Sequence, residues 1–333
     1  MGLSMTSQAA SLPSLDDRRS TVDDRLDDER ARLPRGIPAS VWESVLLAPA
    51  RDLLARPSKA IRAALVEAGW RLAGGHGRAP QELAQAIEIL HAGSLIVDDI
   101  EDGALERRGH PAIHVRYGVP AAINSGNWMY FWAFALLDQA PVDDATRVRL
   151  YRAMLRATRE CHAGQALDLG IDVTRTSRER LRVFVEHATS LKSGSLVALA
   201  LSLGAIAAQA PAGTLATIEA FGVQLGIALQ MLDDVGGITS ADRAAKARED
   251  LANNRLTWAW VFASEHADDA TWKALSTMPL PELAPKLAAL AAHGRDEIRA
   301  RLARALDGIR PIARPDTLAM LERELAKLEV SYG

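Results

Sequence analysis

The stretch "PQELAQAIEILHAGSLIVDDIED" (residues 80–102) decides the reading of this chain. Taken as one helix, it sets Asp98 and Asp102 at i and i+4, so both carboxylates project from one face. His91 lies seven residues before Asp98, two turns up the same stripe. Gly103 supplies the stop. Asp98, Asp99, Glu101 and Asp102 then crowd the negative end of the helix dipole, where carboxylates are unfavourable on their own. A divalent cation removes that conflict: Mg2+ takes one or two carboxylates and completes its octahedron with water and phosphate oxygens. The chain continues "GALERRG" (103–109), and Arg107 and Arg108 suit bidentate capture of phosphate. An acid pair followed by an arginine pair points to a metal-bridged diphosphate. Asp98 and Asp102 share the working face, Asp99 lies beside them and Glu101 faces elsewhere.

Context separates this string from chance copies. "DDRLD" (Asp23 to Asp27) repeats the spacing inside a polar segment with no apolar run before it, and reads as solvated charge. A second apolar helix, "FGVQLGIALQMLDDVGG" (221–237), ends in Asp233 and Asp234. Two such helix ends in one helical chain suggest facing halves of a metal site in a bundle core.

Basic residues fall where phosphate would want them. "RPSKAIRAAL" (56–65) sets Lys59 and Arg62 in the first turn of a helix, with Ser58 as N-cap. Cations there oppose the dipole, and a bound anion would resolve the conflict; plain surface charge is the other reading. "SLKSGSL" (190–196) sets Lys192 among small residues in an apolar region, and Lys246 and Arg255 follow the second acidic site.

The remainder is helical text. Hydrophobic residues make up 48% and aromatics 5% of 333 residues, Ala and Leu dominate, and alternating strand patterns are missing, which predicts an all-α globular protein. Residues 1–35 are polar and read as a mobile arm or a loosely attached first helix; 36–333 reads as one helical domain. Helices are expected over 39–55, 58–73, 80–102, 119–138, 143–167, 177–190, 191–209, 213–235, 247–265, 268–276, 280–306 and 314–329. A net charge of −3 argues against a broad basic field for nucleic acid. Cys161, the single cysteine, allows no internal disulfide and no cysteine-based zinc site, and fits a cytoplasmic setting as a packed thiol. No run of 18 apolar residues predicts a transmembrane segment, and the N-terminus lacks the apolar core of a signal peptide.

Taken in order, "SKAIR", "LHAGSLIVDDIEDGALERRG", "GQALDLG", "LKSG", "FGVQLGIALQMLDD" and "EDLANNR" resemble the trans-prenyl diphosphate synthases, also called polyprenyl synthetases. The first acidic block, continuing "HPAIHVRYGVPAAINSGNWMYF", is most similar to geranylgeranyl diphosphate synthases of the eukaryotic type. The resemblance implies an isoprenoid synthase fold, a helical bundle around a central cavity, and a homodimer. It implies a cluster of three Mg2+ ions holding an allylic diphosphate, with Asp98 and Asp102 ligating two ions, Asp99 supporting them, Asp233 holding the third and Asp234 beside it. Arg107 and Lys192 would hold the allylic diphosphate, assisted by Lys246 and Arg255. Isopentenyl diphosphate would rest on Lys59, Arg62, His91 and Arg108, and Ser193 and Gln230 would stabilise the allylic cation. The chain departs from the family pattern in "DDVGG", which lacks an acid at its fifth position, in Ser193 for the usual Thr, and in Asn254-Arg255 for the usual Gly-Lys.

Product length should depend on what lies beneath Asp98. Gly93 and Ser94 are small, and Ile87 lies about 16 Å down at 1.5 Å per residue. Trp128, Phe131, Trp132 and Phe134 are candidates for a floor. A C15–C20 product is expected, C20 first. The rival readings are a terpene cyclase on the same fold, which has no use for a second diphosphate site, and a non-catalytic partner subunit of a prenyl synthase.

Overall fold

The structure, a computed structural model, describes residues 15–57, 61–240 and 244–332. Helices dominate, and the two-stranded hairpin Glu106–Arg107/His110–Pro111 is the one sheet among the described residues. The chain divides into two compact units, one of Met1–Lys59 with Ile89–Phe131, the other of Ala60–Glu88 with Trp132–Gly333.

In the first unit, the polar N-terminal segment is helical over Leu15–Arg32. Leu26 anchors that helix with no exposed surface. Asp23 belongs to it with its side chain outside the described set, while Asp27 pairs with Arg30 at 3.3 Å and Arg51 at 3.6 Å. The helix Ala48–Ala55 ends because Arg56 precedes Pro57, which pushes Arg56 into extended backbone (φ −74, ψ 147). The helix Gln81–Asp102 ends as expected at Gly103. Gly103 takes φ +70, and Ala104 N–H donates to the Asp99 carbonyl at 2.9 Å while Gly103 N–H donates to Ile100 at 3.3 Å, a Schellman stop. Gly93 lies against the helix Val119–Asp138: a Cβ there would sit 2.8 Å from the Gly126 carbonyl oxygen. Its smallness therefore serves helix packing, which corrects its reading as space left for a product tail.

The second unit is built on the crossing of Ile61–Leu72 with Ser195–Ala207. A Cβ at Gly204 would lie 2.0 Å from the Val66 carbonyl oxygen, and one at Gly69 would lie 1.8 Å from that of Leu201, so the two backbones touch. Two helices expected over 177–190 and 191–209 run on as one, because a π-turn at Ser190–Gly194 joins Arg178–Thr189 to Ser195–Ala207. The stretches Arg178–Ala207 and Ala212–Thr239 are long and apolar enough to cross a membrane by length and composition, contrary to the sequence expectation. Much of that apolar surface is spent on the core, with 61% and 44% of the respective windows buried. The helix expected over 247–265 is instead two, Ala244–Ala252 and Trp258–His266. Asn254 (φ +51) makes the break as a second Schellman stop, with Arg255 N–H donating to Asp250 at 2.9 Å and Asn254 N–H to Leu251 at 3.2 Å. A glycine-lined break at Ala292–Gly294 likewise divides the helix expected over 280–306.

Candidate active site

The acidic end of Gln81–Asp102 keeps the periodicity read from the sequence. Asp98 is 14% exposed in its side chain and Asp102 is half-buried, whereas Glu101 is exposed. Asp99 points the other way and is fully buried. Arg107 Nε donates to Asp99 Oδ1 at 2.7 Å, its Nη2 bonds the same oxygen, and Nη2 reaches Asp98 Oδ2 at 3.4 Å. Asp99 Oδ2 is buried without a hydrogen-bond partner. Burial pushes the Asp99 carboxyl above its usual range, against the pull of Arg107. Asp99, expected near the metal ions, is therefore sequestered by an arginine expected on the allylic diphosphate.

Arg107 reaches back because the hairpin turns it. Arg107 pairs with His110 across a two-residue loop in which Arg108 (φ +56) and Gly109 (φ +75) both take left-handed backbone. Gly adopts that conformation readily and Arg does not. Arg56, which no spacing in the sequence marks out, holds the hairpin from outside, donating to the carbonyls of Arg107 and Pro111, each at 2.9 Å. His91 is half-buried on the same helix as Asp98. Lys59 and its expected cap Ser58 lie outside the described residues.

In the second unit the π-turn carries Lys192 and Ser193. Lys192 Nζ lies 2.9 Å from Asp168 Oδ2, and Arg255 Nη1 donates to the Asp168 backbone carbonyl at 3.3 Å. Ser193 Oγ donates to Gln230 Oε1, Gln230 Nε2 donates to Asp234 Oδ1, and Trp258 N–H donates to Asp234 Oδ2, each at 2.8 Å. Asp234 thus caps the first turn of Trp258–His266. Burial raises its pKa to about 7, while the bonds from Trp258 and Gln230 oppose the rise. Expected among the metal ligands, Asp234 instead spends both oxygens on protein donors; Asp233 is half-buried beside it. Arg62 lies 3.7 Å from Glu88. Lys246 falls in the helix Ala244–Ala252 with its side chain outside the described set. Cys161 Sγ donates to the Lys192 carbonyl at 3.4 Å, and burial pushes its thiol up, so it serves as packing for the π-turn.

Among the described residues, no group of three His, Cys, Asp or Glu side chains is gathered tightly enough to hold a metal unaided. The donor chemistry still suits Mg2+, which needs only one or two carboxylates at a site when phosphate oxygens supply the rest. Asp98 and Asp102 offer that pair. Of the floor candidates, Phe131 is 74% exposed and so lines nothing inside, Trp128 is half-buried, Trp132 is buried at 2%, and Phe134 packs against Tyr151 with the rings tilted at 43° and centroids 6.0 Å apart.

The helical architecture, with aspartates at the end of Gln81–Asp102 and, contrary to the expected helix end, inside Ala212–Thr239, is that of an isoprenoid synthase fold. The crystal structure of geranylgeranyl pyrophosphate synthetase from Pyrococcus horikoshii shares it, with a TM-score of 0.75 at 23% identity, over 95% of this chain and 98% of that one. Residues 43–281 match the Polyprenyl synthetase family, and the chain belongs to that family. It is 30% identical to a short chain isoprenyl diphosphate synthase of Methanothermobacter thermautotrophicus, over 69% of this chain and 70% of that protein. It is also 30% identical to a geranylgeranyl diphosphate synthase of Cyanophora paradoxa, over 77% of this chain and 84% of the relative. The protein is accordingly a prenyltransferase of the isoprenyl diphosphate synthase class.

Proposed function

We propose that this enzyme is Mg2+-dependent and condenses isopentenyl diphosphate with an allylic diphosphate into a linear C15–C20 prenyl diphosphate, C20 first. The observation that carries the reading is the pair Asp98 and Asp102 on one helix face, beside an Asp99 already bonded to Arg107. Asp98 and Asp102 would hold two metal ions and Asp233 a third, with Asp99 and Asp234 acting as anchors. Bound Mg2+ supplies charge neutralisation on the departing diphosphate. Arg107 and Lys192, with Lys246 and Arg255, hold that diphosphate; Asp168, Asp98 and Asp99 keep the first two cations in place until it binds. Charge passing to the held diphosphate lets the allylic C–O bond ionise. The double bond of isopentenyl diphosphate, whose own diphosphate rests on Lys59, Arg62, His91 and Arg108, attacks the cation. A proton then leaves to the released diphosphate. Ser193 donates its hydroxyl hydrogen bond to Gln230, which leaves the Oγ lone pairs to stabilise the cation.

The exposed apolar stripe Val119, Ile123 and Phe131 on one helix supports a homodimer. A single free thiol, Cys161, supports a cytoplasmic enzyme. The test is incorporation of labelled isopentenyl diphosphate into an allylic, acid-labile product. Incorporation should require Mg2+ and stop with a chelator. Incorporation unaffected by chelation would overturn the metal-dependent reading.

A further inference from the structure

The 106–111 hairpin presents both arginines assigned to diphosphate, yet it has little of its own to hold it. It consists of two paired positions closed by a loop in which Arg108 adopts a left-handed backbone unfavourable for a residue with a Cβ. Isolated hairpins are marginal in water, and strained residues persist only where the surroundings over-determine them. Arg107 ties one strand to Asp99 through its side chain, and the group that holds the hairpin backbone on both sides of the turn is Arg56. Its side chain is 3% exposed, and its guanidinium forks across the hairpin, Nη1 to the Arg107 carbonyl and Nη2 to the Pro111 carbonyl, each at 2.9 Å. The two accepting residues flank the strained turn. Asp52 fixes the fork from behind, accepting Nε at 3.1 Å and lying 3.0 Å from Nη2. Asp52 is itself held by Arg116 at 2.7 Å.

We propose that Arg56 is a positioning residue for diphosphate binding, acting through the hairpin on Arg108 and Arg107. The inference rests on the reading of Arg108 as a ligand of isopentenyl diphosphate. A buried arginine is suited to this because one planar fork reaches two carbonyls at fixed separation, which a lysine ammonium cannot do.

The test compares wild type with Arg56→Lys, which keeps the charge, and Arg56→Gln, which keeps one amide donor should the lysine variant fold poorly. Hydrogen–deuterium exchange of the 103–112 segment should accelerate about tenfold in either variant, the loss of one charge-assisted hydrogen bond, with the rest of the protein unchanged. The KM for isopentenyl diphosphate should rise about tenfold with kcat within about twofold, as expected for lost ground-state binding. In a double-mutant cycle scored by the KM for isopentenyl diphosphate, Arg56→Lys should cost little further once Arg108→Ala is present. Unchanged exchange in 103–112, or additive effects in the cycle, would overturn the proposal. If wild type fails to consume isopentenyl diphosphate, the proposed function fails separately. Calorimetric binding of inorganic diphosphate with Mg2+ then still decides the inference: equal affinity in wild type and Arg56→Lys sinks it, and about tenfold weaker binding in the variant sustains it.

Discussion

Arg107 Nε donates to Asp99 Oδ1 at 2.7 Å, joining the hairpin that follows the first acidic helix back to that helix's last turn. Asp99 is buried and Arg107 is 16% exposed in its side chain, so each relies on the other. This divides the acidic motif into Asp99, buried against Arg107, and the half-buried pair Asp98 and Asp102. Asp99→Ala should lower stability by about 3–5 kcal/mol, because it strands a mostly buried guanidinium. A drop in the thermal midpoint with purified protein checks this. Asp98→Ala or Asp102→Ala should reduce turnover about a thousandfold or more while the midpoint stays near wild type. Asp23→Ala, in the copied motif, should leave turnover within about twofold of wild type.

The second acidic motif should divide the same way. Asp234 accepts from Trp258 and Gln230, so Asp234→Ala removes two buried acceptor bonds and should cost about 2–3 kcal/mol in denaturant unfolding. Asp233→Ala should cost less in unfolding than Asp234→Ala and raise the Mg2+ concentration needed for half-maximal rate. Indistinguishable variants would contradict the division.

Arg182 predicts an acid-sensitive clamp. It donates to Glu297 at 2.8 and 2.9 Å and also bonds Glu265, with its guanidinium over the Trp258 ring. Hydrogen bonding to Arg182 holds the Glu297 carboxyl below its ordinary value of 4.5. The stability it contributes is therefore present above pH 4.5 and lost as pH falls through the lower folded value. About a third of each side chain is exposed, so the contribution is about 1 kcal/mol. Melting curves of wild type and Glu297→Gln should differ at pH 7 and converge in acid.

The backbone contact at Gly204 predicts a steep packing penalty. Gly204→Ala places a methyl against the Val66 carbonyl, and moving that backbone should cost about 1–3 kcal/mol or more. Urea unfolding checks it, and an unchanged midpoint would show that the helices separate readily.

Legibility in the sequence followed the range of the interaction. The aspartates at positions 98 and 102, the stop at Gly103 and the all-helical class rest on spacings of one or two turns, and they could be read directly. The break at Asn254 could have been read too, since Asn is the residue after Gly that most readily takes left-handed backbone. Arg56 could not, because its two carbonyl partners lie 51 and 55 residues away. The same limit hid the difference between Asp233 and Asp234, which depends on a Trp258 amide 24 residues on. Gly93 was misread because a small residue looks the same in sequence whether it opens a cavity or admits a neighbouring helix.

The most direct measurement of the central claim is the identity of the product. Purified protein is incubated with Mg2+, isopentenyl diphosphate and, in turn, allylic diphosphates from C5 to C20, and products are separated by chain length. Linear prenyl diphosphates ending at C15–C20, with C20 the largest share, are the predicted result. Cyclic hydrocarbons formed without consumption of isopentenyl diphosphate would contradict the account.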